Sequence, residues 1–472
     1  MQKKLMAAAA KLLIVNFGKS VVESLRSQVD ARVQESHEWL EPLVVDGAFP
    51  DAELHRRAGE ADVLLVAGNL EGLPSVDALA KVDAPMVMAD PPLAFHSFQA
   101  PLRHQLQRRG VTMLPADDAA RLGDSFRAVA ARRWLRSSRV LLCTPPARHA
   151  AEAATWQAMD LAARQRLGVE VVRRPVSQLQ ERAAEVPERQ ARDVLDCWRK
   201  TLVGTVDAAL PESHLLDVAR LYVVEESLLA QTGANSLGVE EFESFLRRQR
   251  AMPNVTYVML KERGVTCTEE ADLSCLLTEL LLVAVHREQV TMSNIYTAYR
   301  DEFEKHPKGP YTPENQRRDF EQCRSEQCAV IAHFSTAGSL PRNMMEGERY
   351  DILETLPAWP GQSMVHARPQ KKPVLLGRLW EQCEQFDLFG PCPVVDVREN
   401  RDCGWYRGRW LVRLPDFATF VAKAIHTHYA IALNKHPDAL RTLVRQLLKI
   451  PIGPRDVEDW ERNSVRKCQH GD

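Results

Sequence analysis

Apolar positions recur in two rhythms along this chain, and the change from one to the other divides it. Through residue 135, short β-favouring runs (KLLIVNF, Leu43 to Val45, DVLLVAG, PMVMAD, VTMLP) alternate with helical spacing over Ser20 to Val33, Asp51 to Ala61, Phe98 to Arg109 and Asp117 to Leu135. Strands alternating with helices predict a parallel sheet covered on both faces, so residues 1–136 are expected to form one doubly wound α/β domain. A second α/β domain, 137–298, opens on the strand RVLLCTP at Arg139 and continues through VEVVRRP. Val176 to Lys200 then predicts a charged helix with a solvated face, and Ser213 to Gln231 and Val239 to Arg248 add further helical spacing. From 299 to 472 the helical rhythm gives way to short strand-like runs broken by Pro and Gly, which predicts a β-rich C-terminal domain closed by helices near Phe417 to Ala424 and Pro437 to Lys449. The polar stretch Asp301 to Arg318 is expected to be a long loop of the kind that covers a site.

The most informative pattern lies at the end of the second domain. Residues 264–296 read GVTCTEEADLSCLLTELLLVAVHREQVTMSNIY, a strand, a helix with apolar residues at Leu273, Leu276, Leu277, Leu280, Leu281 and Ala284, and a second strand. Polar groups where neighbouring strands of an α/β sheet end face the crevice in which ligands bind. Glu269 and Glu270 after the first strand and Asn294 late in the next are therefore expected to converge. Taken alone, Glu270 and Asp272 are better explained as first-turn acids that stabilise a helix dipole by about 0.3–1 kcal/mol each.

These residues also resemble a known family. Glu270-Ala-Asp272 ahead of a Leu/Thr-rich helix, then an apolar strand ending in a short polar residue, is similar to the metal-binding core of the L-fucose/L-arabinose isomerase superfamily. The separation of Glu270 and Asn294, 294 − 270 = 24 residues, is similar to the family spacing. A late segment, AIHTHYAIAL, places His428 at the family's C-terminal histidine with His426 beside it, and CAVIAHFSTAG places His333 on an intervening strand. A long helix with Tyr222 ahead of Gly233-Ala-Asn235 extends the likeness. The resemblance implies a metal-dependent aldose–ketose isomerase acting on a small sugar-like substrate. It implies Glu270, Asn294 and His428 as ligands of Mn²⁺ or another divalent ion, with Glu270, Asp272 and His333 handling protons, and a homo-oligomer. In the fucose isomerases the position of Asn294 is an aspartate; an amide can coordinate a metal but is neutral and takes no proton near pH 7. A non-catalytic protein that keeps the fold for ligand binding or assembly is the alternative.

Composition narrows the rest. A length of 472 residues exceeds a single core, and 45% apolar with 26% charged residues is ordinary for a globular protein. With 61 Lys+Arg against 63 Asp+Glu, a net charge of −2 supplies no pull toward nucleic acid or an acidic membrane. Ten scattered cysteines predict reduced thiols, and no run reaches the about 20 apolar residues of a membrane span, so a cytoplasmic protein is expected. The N-terminal MQKKLMAAAAKLLIVNF imitates a signal peptide, but Lys11 interrupts it and Leu12 to Phe17 is expected as the first strand. Gly18-Lys19-Ser20 lacks the earlier glycine of a phosphate loop, position 13 being Leu13. Cys323, Cys328 and His333, with His306, form a competing zinc set whose spacing fits no common motif. Cys267 is expected to be a buried structural thiol, because the carboxylates beside it oppose its ionisation.

Overall fold

The structure is a computed structural model describing residues 9–16, 22–33, 37–44, 51–67, 75–89, 100–116, 118–241, 244–245, 251–297, 321, 325–333, 339–354, 363–380, 382–399, 408–415, 417–423 and 428–453. The loop 301–318, His306, Cys323, His426 and the segment 18–20 lie outside these. The chain divides into two compact units, one of Met6–Ser137 with His436–Ile450 and one built on Ser138–Lys435.

The first unit carries strands β1 (Ala10–Asn16), β2 (His37–Trp39), β3 (Leu43–Val44), β4 (Val63–Ala67) and β5 (Met86–Ala89), all paired in parallel in the order β2-β1-β4-β5, with β3 beside the end of β1. Central strands of a sheet covered on both faces lose their alternation, and Leu12 to Val15 and Val63 to Ala67 are all fully buried. VTMLP contributes only a single bridge, Met113 to Met86. The long helix Ala119–Arg136 is capped by Asp118, which accepts from the Arg121 N–H at 2.8 Å, and the segment 437–447 packs against it.

The second unit holds three sheets. Its α/β part contains β6 (Arg139–Thr144), β7 (Glu170–Pro175), β8 (Val203–Val206), β9 (Ser236–Val239) and β10 (Thr266–Thr268). Four of these form a parallel sheet in the order β10-β9-β6-β7, flanked by helices. The rest of the strands are β11 (Thr291–Tyr296), β12 (Cys328–Ala332), β13 (Met345–Glu354), β14 (Ser363–Pro369), β15 (Val374–Leu379), β16 (Phe386–Cys392), β17 (Val394–Glu399), β18 (Gly408–Arg413), β19 (His428–Leu433) and β20 (Ile452–Gly453). Eight of them make a mixed sheet, β17-β18-β12-β11-β19-β15-β16-β20, and β14-β13-β8 make a small one. The fold is therefore α/β, with parallel sheets followed by a strand-rich C-terminal part.

Three local expectations need correction. The helix expected from Val239 does not start there, because Ser236–Val239 is strand β9, in which Gly238 lies where strand and neighbour approach closely: a Cβ there would stand 2.7 Å from Leu142 Cδ1 and 3.5 Å from Ala271 Cα. The charged helix from Val176 is two helices, Val176–Glu185 and Glu188–Thr201, since Pro187 cannot continue a helix. Most importantly, β10 and β11 are not neighbours in one sheet. β11 runs antiparallel between β12 and β19, while β8 leaves the α/β part to pair with β13. The two regions read separately from the sequence thus interleave in one compact unit. The helix Leu273–His286 lies between β10 and β9 on one side and β11, β15 and β19 on the other, and all its residues are buried, Glu279 and His286 included. A helix packed on both sides is apolar all round, which is why its Leu-rich run exceeds a single face.

Candidate metal centre

Glu270 sits where β10 hands over to the buried helix, and the handover is strained. Glu270 and Ala271 adopt φ of 58° and 51°, a left-handed conformation that costs a non-glycine residue on the order of 1–3 kcal/mol and clusters at functional sites. Asp272 then caps the helix, its Oδ1 accepting from the Cys275 N–H at 2.9 Å. This tight turn leaves the Glu270 side chain a third exposed while Glu269 before it is buried.

Two histidines arrive from the mixed sheet. His428 opens β19, and His333 follows the last residue of β12, where strand alternation no longer decides which way a side chain points. Their rings stand 5.6 Å apart at a steep angle. Each ring is anchored through Nδ1 and presents Nε2 to the same carboxylate. His428 Nδ1 lies 3.1 Å from Asp272 Oδ2, and its Nε2 is 3.6 Å from Glu270 Oε2. His333 Nδ1 makes a short contact with Glu269 Oε2, and its Nε2 is 3.5 Å from Glu270 Oε1. One ligand atom from each of Glu270, His333 and His428 falls within 4.8 Å of the other two.

The anchoring carboxylates are themselves held. Glu269, 1% exposed, receives a 2.8 Å hydrogen bond from Asn254 Nδ2 at the start of the helix Asn254–Glu262. Asp272 Oδ2 is met at 2.7 Å by the buried guanidinium of Arg378 from β15. These contacts set the charges. Burial works against ionising Asp272, but Arg378 and His428 outweigh it and hold the carboxyl well below the usual range. Burial would also raise Glu270, yet the hydrogen bond to His333 and the charges of both histidines bring it below the ordinary value. For His333 burial favours the neutral ring, and Glu269, helped by Glu270, overrides that and lifts the pKa to about 10.

The arrangement fits a divalent cation. Ligand atoms about 2–2.2 Å from an ion stand within some 4 Å of each other, which the 3.5 and 3.6 Å spacings satisfy. Two imidazoles and a carboxylate suit a borderline first-row metal, and metal-bound histidines characteristically give their second nitrogen to a carboxylate. Glu270 and His428 line a cavity of about 790 Å³ whose walls include Trp156, Arg173, Glu240 and Arg378.

Of the residues expected from sequence, Glu270, His333 and His428 come together. Asp272 lies behind His428 as its hydrogen-bond partner, paired with Arg378. Asn294 is the strand partner of His428 across β11 and β19, so both side chains leave the sheet on the same face. Cys328 is buried within β12, and Cys267 is buried with its thiol pushed well above the usual range by burial. Among the described residues only Glu270, His333 and His428 group as three potential metal ligands. Asn254 and Arg378 escaped sequence reading; a lone arginine inside the apolar run PVLLGRLW was the signal for the second.

No family model matches the chain, and no curated protein is similar to it. Among solved structures, a two-component system response regulator/GGDEF domain protein aligns at 17% identity over 49% of this chain and 82% of its own, with a TM-score of 0.20. Its ligands and activity therefore do not transfer. Among the described residues no helix is long and apolar enough to cross a membrane.

Proposed function

We propose that this chain is a metal-dependent enzyme of the aldose–ketose isomerase kind, acting on a small polyhydroxylated substrate in the cavity beside Glu270. The observation that carries the reading is the pair of histidines, each anchored through Nδ1 by a carboxylate and each presenting Nε2 to Glu270. In this reading Glu270, His333 and His428 hold the ion, with the amide oxygen of Asn294 as a further neutral donor. A divalent ion there supplies Lewis-acid stabilisation of the negative charge that develops on a sugar oxygen as a proton leaves the adjacent carbon.

The protein's own groups do the rest. Asp272 and Glu269 fix the tautomer and orientation of the two imidazoles, keeping Nε2 of each free of its proton when a metal is held. Arg378 keeps Asp272 ionised and so indirectly holds His428. Glu270 and Asp272 both reach the cavity, but Asp272 is paired with Arg378 and His428, so the Glu270 carboxylate is the group placed to take and return the proton between adjacent carbons. The resemblance adds Mn²⁺ as the ion and a homo-oligomeric assembly to this proposal, and the ten scattered cysteines add a cytoplasmic setting.

Isomerisation through an ene-diol exchanges a carbon-bound hydrogen with solvent. Incubating the Mn²⁺-loaded protein with a panel of aldoses in deuterated water, and reading deuterium at C2 by NMR, tests the reaction. Label in at least one aldose, absent with Glu270→Gln, is the expected result; no label in any aldose or ketose of the panel counts against the isomerase reading.

A further inference from the structure

The helix Ala150–Ala162 gives Trp156 and Met159 to the wall of the cavity that holds Glu270 and His428. None of its 13 residues is buried, so core packing does little to fix it. Its tryptophan is held all the same. Trp156 and Asp160 stand four residues apart and share one face of the helix. Arg173, from β7, lies across both. The edge of its guanidinium donates two hydrogen bonds of 2.8 Å to Asp160, from Nε and Nη2, and its plane covers the indole with Cζ 4.9 Å from the ring centroid. A planar guanidinium can bond with its edge and stack with its face at once, which a lysine ammonium cannot. The result is a half-buried aromatic ring, pinned in orientation, on the wall of the cavity.

The rest of the wall decides what such a ring can carry. Its basic groups besides His428 are Arg148, Arg173 and Arg378, set against the acids Glu152, Glu240, Glu270 and Asp272. Arg173 is committed to Asp160 and Arg378 to Asp272, so no two guanidiniums are left to clamp a phosphate or a carboxylate. Hydroxyl groups fare better. Ser274, on the first turn of the helix Leu273–His286, also lines the cavity; it is 2% exposed, and its hydroxyl has no hydrogen-bond partner in the protein. A buried hydroxyl left unpaired is costly, and a ligand hydroxyl removes that cost. The volume of about 790 Å³ falls within the range of small-molecule sites, about 300–1,000 Å³, which pair apolar and aromatic walls with a few polar groups.

We propose that Trp156 is the stacking platform for the substrate, held in place by Arg173 and Asp160, and that the substrate it selects is an uncharged sugar rather than a sugar phosphate or sugar acid. A sugar carries C–H bonds on its faces and hydroxyls around its edge. The indole takes a C–H face, and the edge is left to meet Ser274 and the groups around Glu270. The proposal rests on reading this cavity as the substrate site, and its test separates the two.

The full chain is prepared as wild type, Trp156→Ala, Trp156→Phe and Arg173→Met. Each is titrated as purified, by calorimetry and by tryptophan fluorescence, with a panel of uncharged aldoses and ketoses, their phosphate esters and the corresponding sugar acids. At least one uncharged sugar is expected to bind the wild type and change its fluorescence, and the ester and acid of that sugar to bind no more tightly. Trp156→Ala is expected to weaken binding at least about tenfold. Trp156→Phe keeps an aromatic face and is expected to stay within about threefold of wild type while losing the fluorescence change. Arg173→Met frees the ring and is expected to weaken binding by about 3–10-fold with the fluorescence change retained. Equal affinity in wild type and Trp156→Ala overturns the proposal. So does an ester or acid that binds more than about tenfold tighter than its parent sugar, or the failure of every uncharged sugar to bind. If Trp156→Ala does not fold, persistence of the fluorescence change in Trp156→Phe overturns it instead. Binding that depends on Trp156 without deuterium exchange at C2 upholds the platform and fails the isomerase reading; exchange with binding indifferent to Trp156 does the reverse.

Discussion

Two histidines near an acid are common on protein surfaces; two that give up Nδ1 to separate carboxylates, one buried and one half-buried, and turn Nε2 to one shared glutamate are not. That residue-level distinction makes two predictions about metal uptake and one about stability. Asn294→Asp places an anionic oxygen beside His428 and should tighten Mn²⁺ binding by at least about tenfold, since a carboxylate attracts a divalent cation far more strongly than an amide dipole does. An unchanged dissociation constant in calorimetric titration would remove Asn294 from the site. Metal uptake should also be pH-dependent. With its pKa at about 10 the metal-free His333 carries a proton at neutral pH, and an ion must displace it. Mn²⁺ affinity is therefore expected to rise by up to about tenfold per pH unit between pH 6 and 9, with proton release visible as a buffer-dependent binding enthalpy. A flat profile would place His333 outside the ligand set. The third concerns Arg378. Removing it by Arg378→Met leaves Asp272 buried beside His428 with no guanidinium, and should cost about 3–5 kcal/mol of stability in chemical denaturation, the range for breaking a buried ion pair. A loss under about 1 kcal/mol would mean that Asp272 does not depend on it.

At the scale of elements, the site depends on how closely β9 approaches the Glu270 turn. Gly238→Ala would set a methyl group 2.7 Å from Leu142 Cδ1 and against the Ala271 backbone. It is expected to cost about 1–3 kcal/mol in denaturant unfolding and to weaken Mn²⁺ binding as well; a variant as stable as wild type would show that the turn has room to spare. The helix and strands around this turn were legible in the sequence because their apolar periods are strong: 266–268, 273–286 and 291–296 fall where the rhythm puts them. What the sequence could not show is that β11 leaves the parallel sheet. A run such as VTMSNIY has the same composition beside a parallel neighbour as beside two antiparallel ones, and its strand partners are set by contacts far along the chain, Asn294 pairing with Ala332 and with His428. For the same reason Arg378 and Asn254, which lie 106 and 15 residues from the groups they hold, left little trace in local pattern. His333 was expected to handle protons rather than to group with the ligands, since its direction depends on β12 ending one residue before it.

For the whole molecule, the proposal is of a divalent ion held at the edge of a cavity in the compact unit built on Ser138–Lys435. The resemblance that led to it also implies a homo-oligomer, and sedimentation at micromolar concentration should show a species of at least twice 53.3 kDa; a monomer there would detach that part of the likeness. The most direct measurement of the central claim is the metal content of the protein itself. Elemental analysis of wild type and Glu270→Gln, each purified, equilibrated with Mn²⁺ and freed of excess ion, should give about one ion per chain for wild type and none for the variant. Equal metal in both, or none in the wild type, would contradict the account.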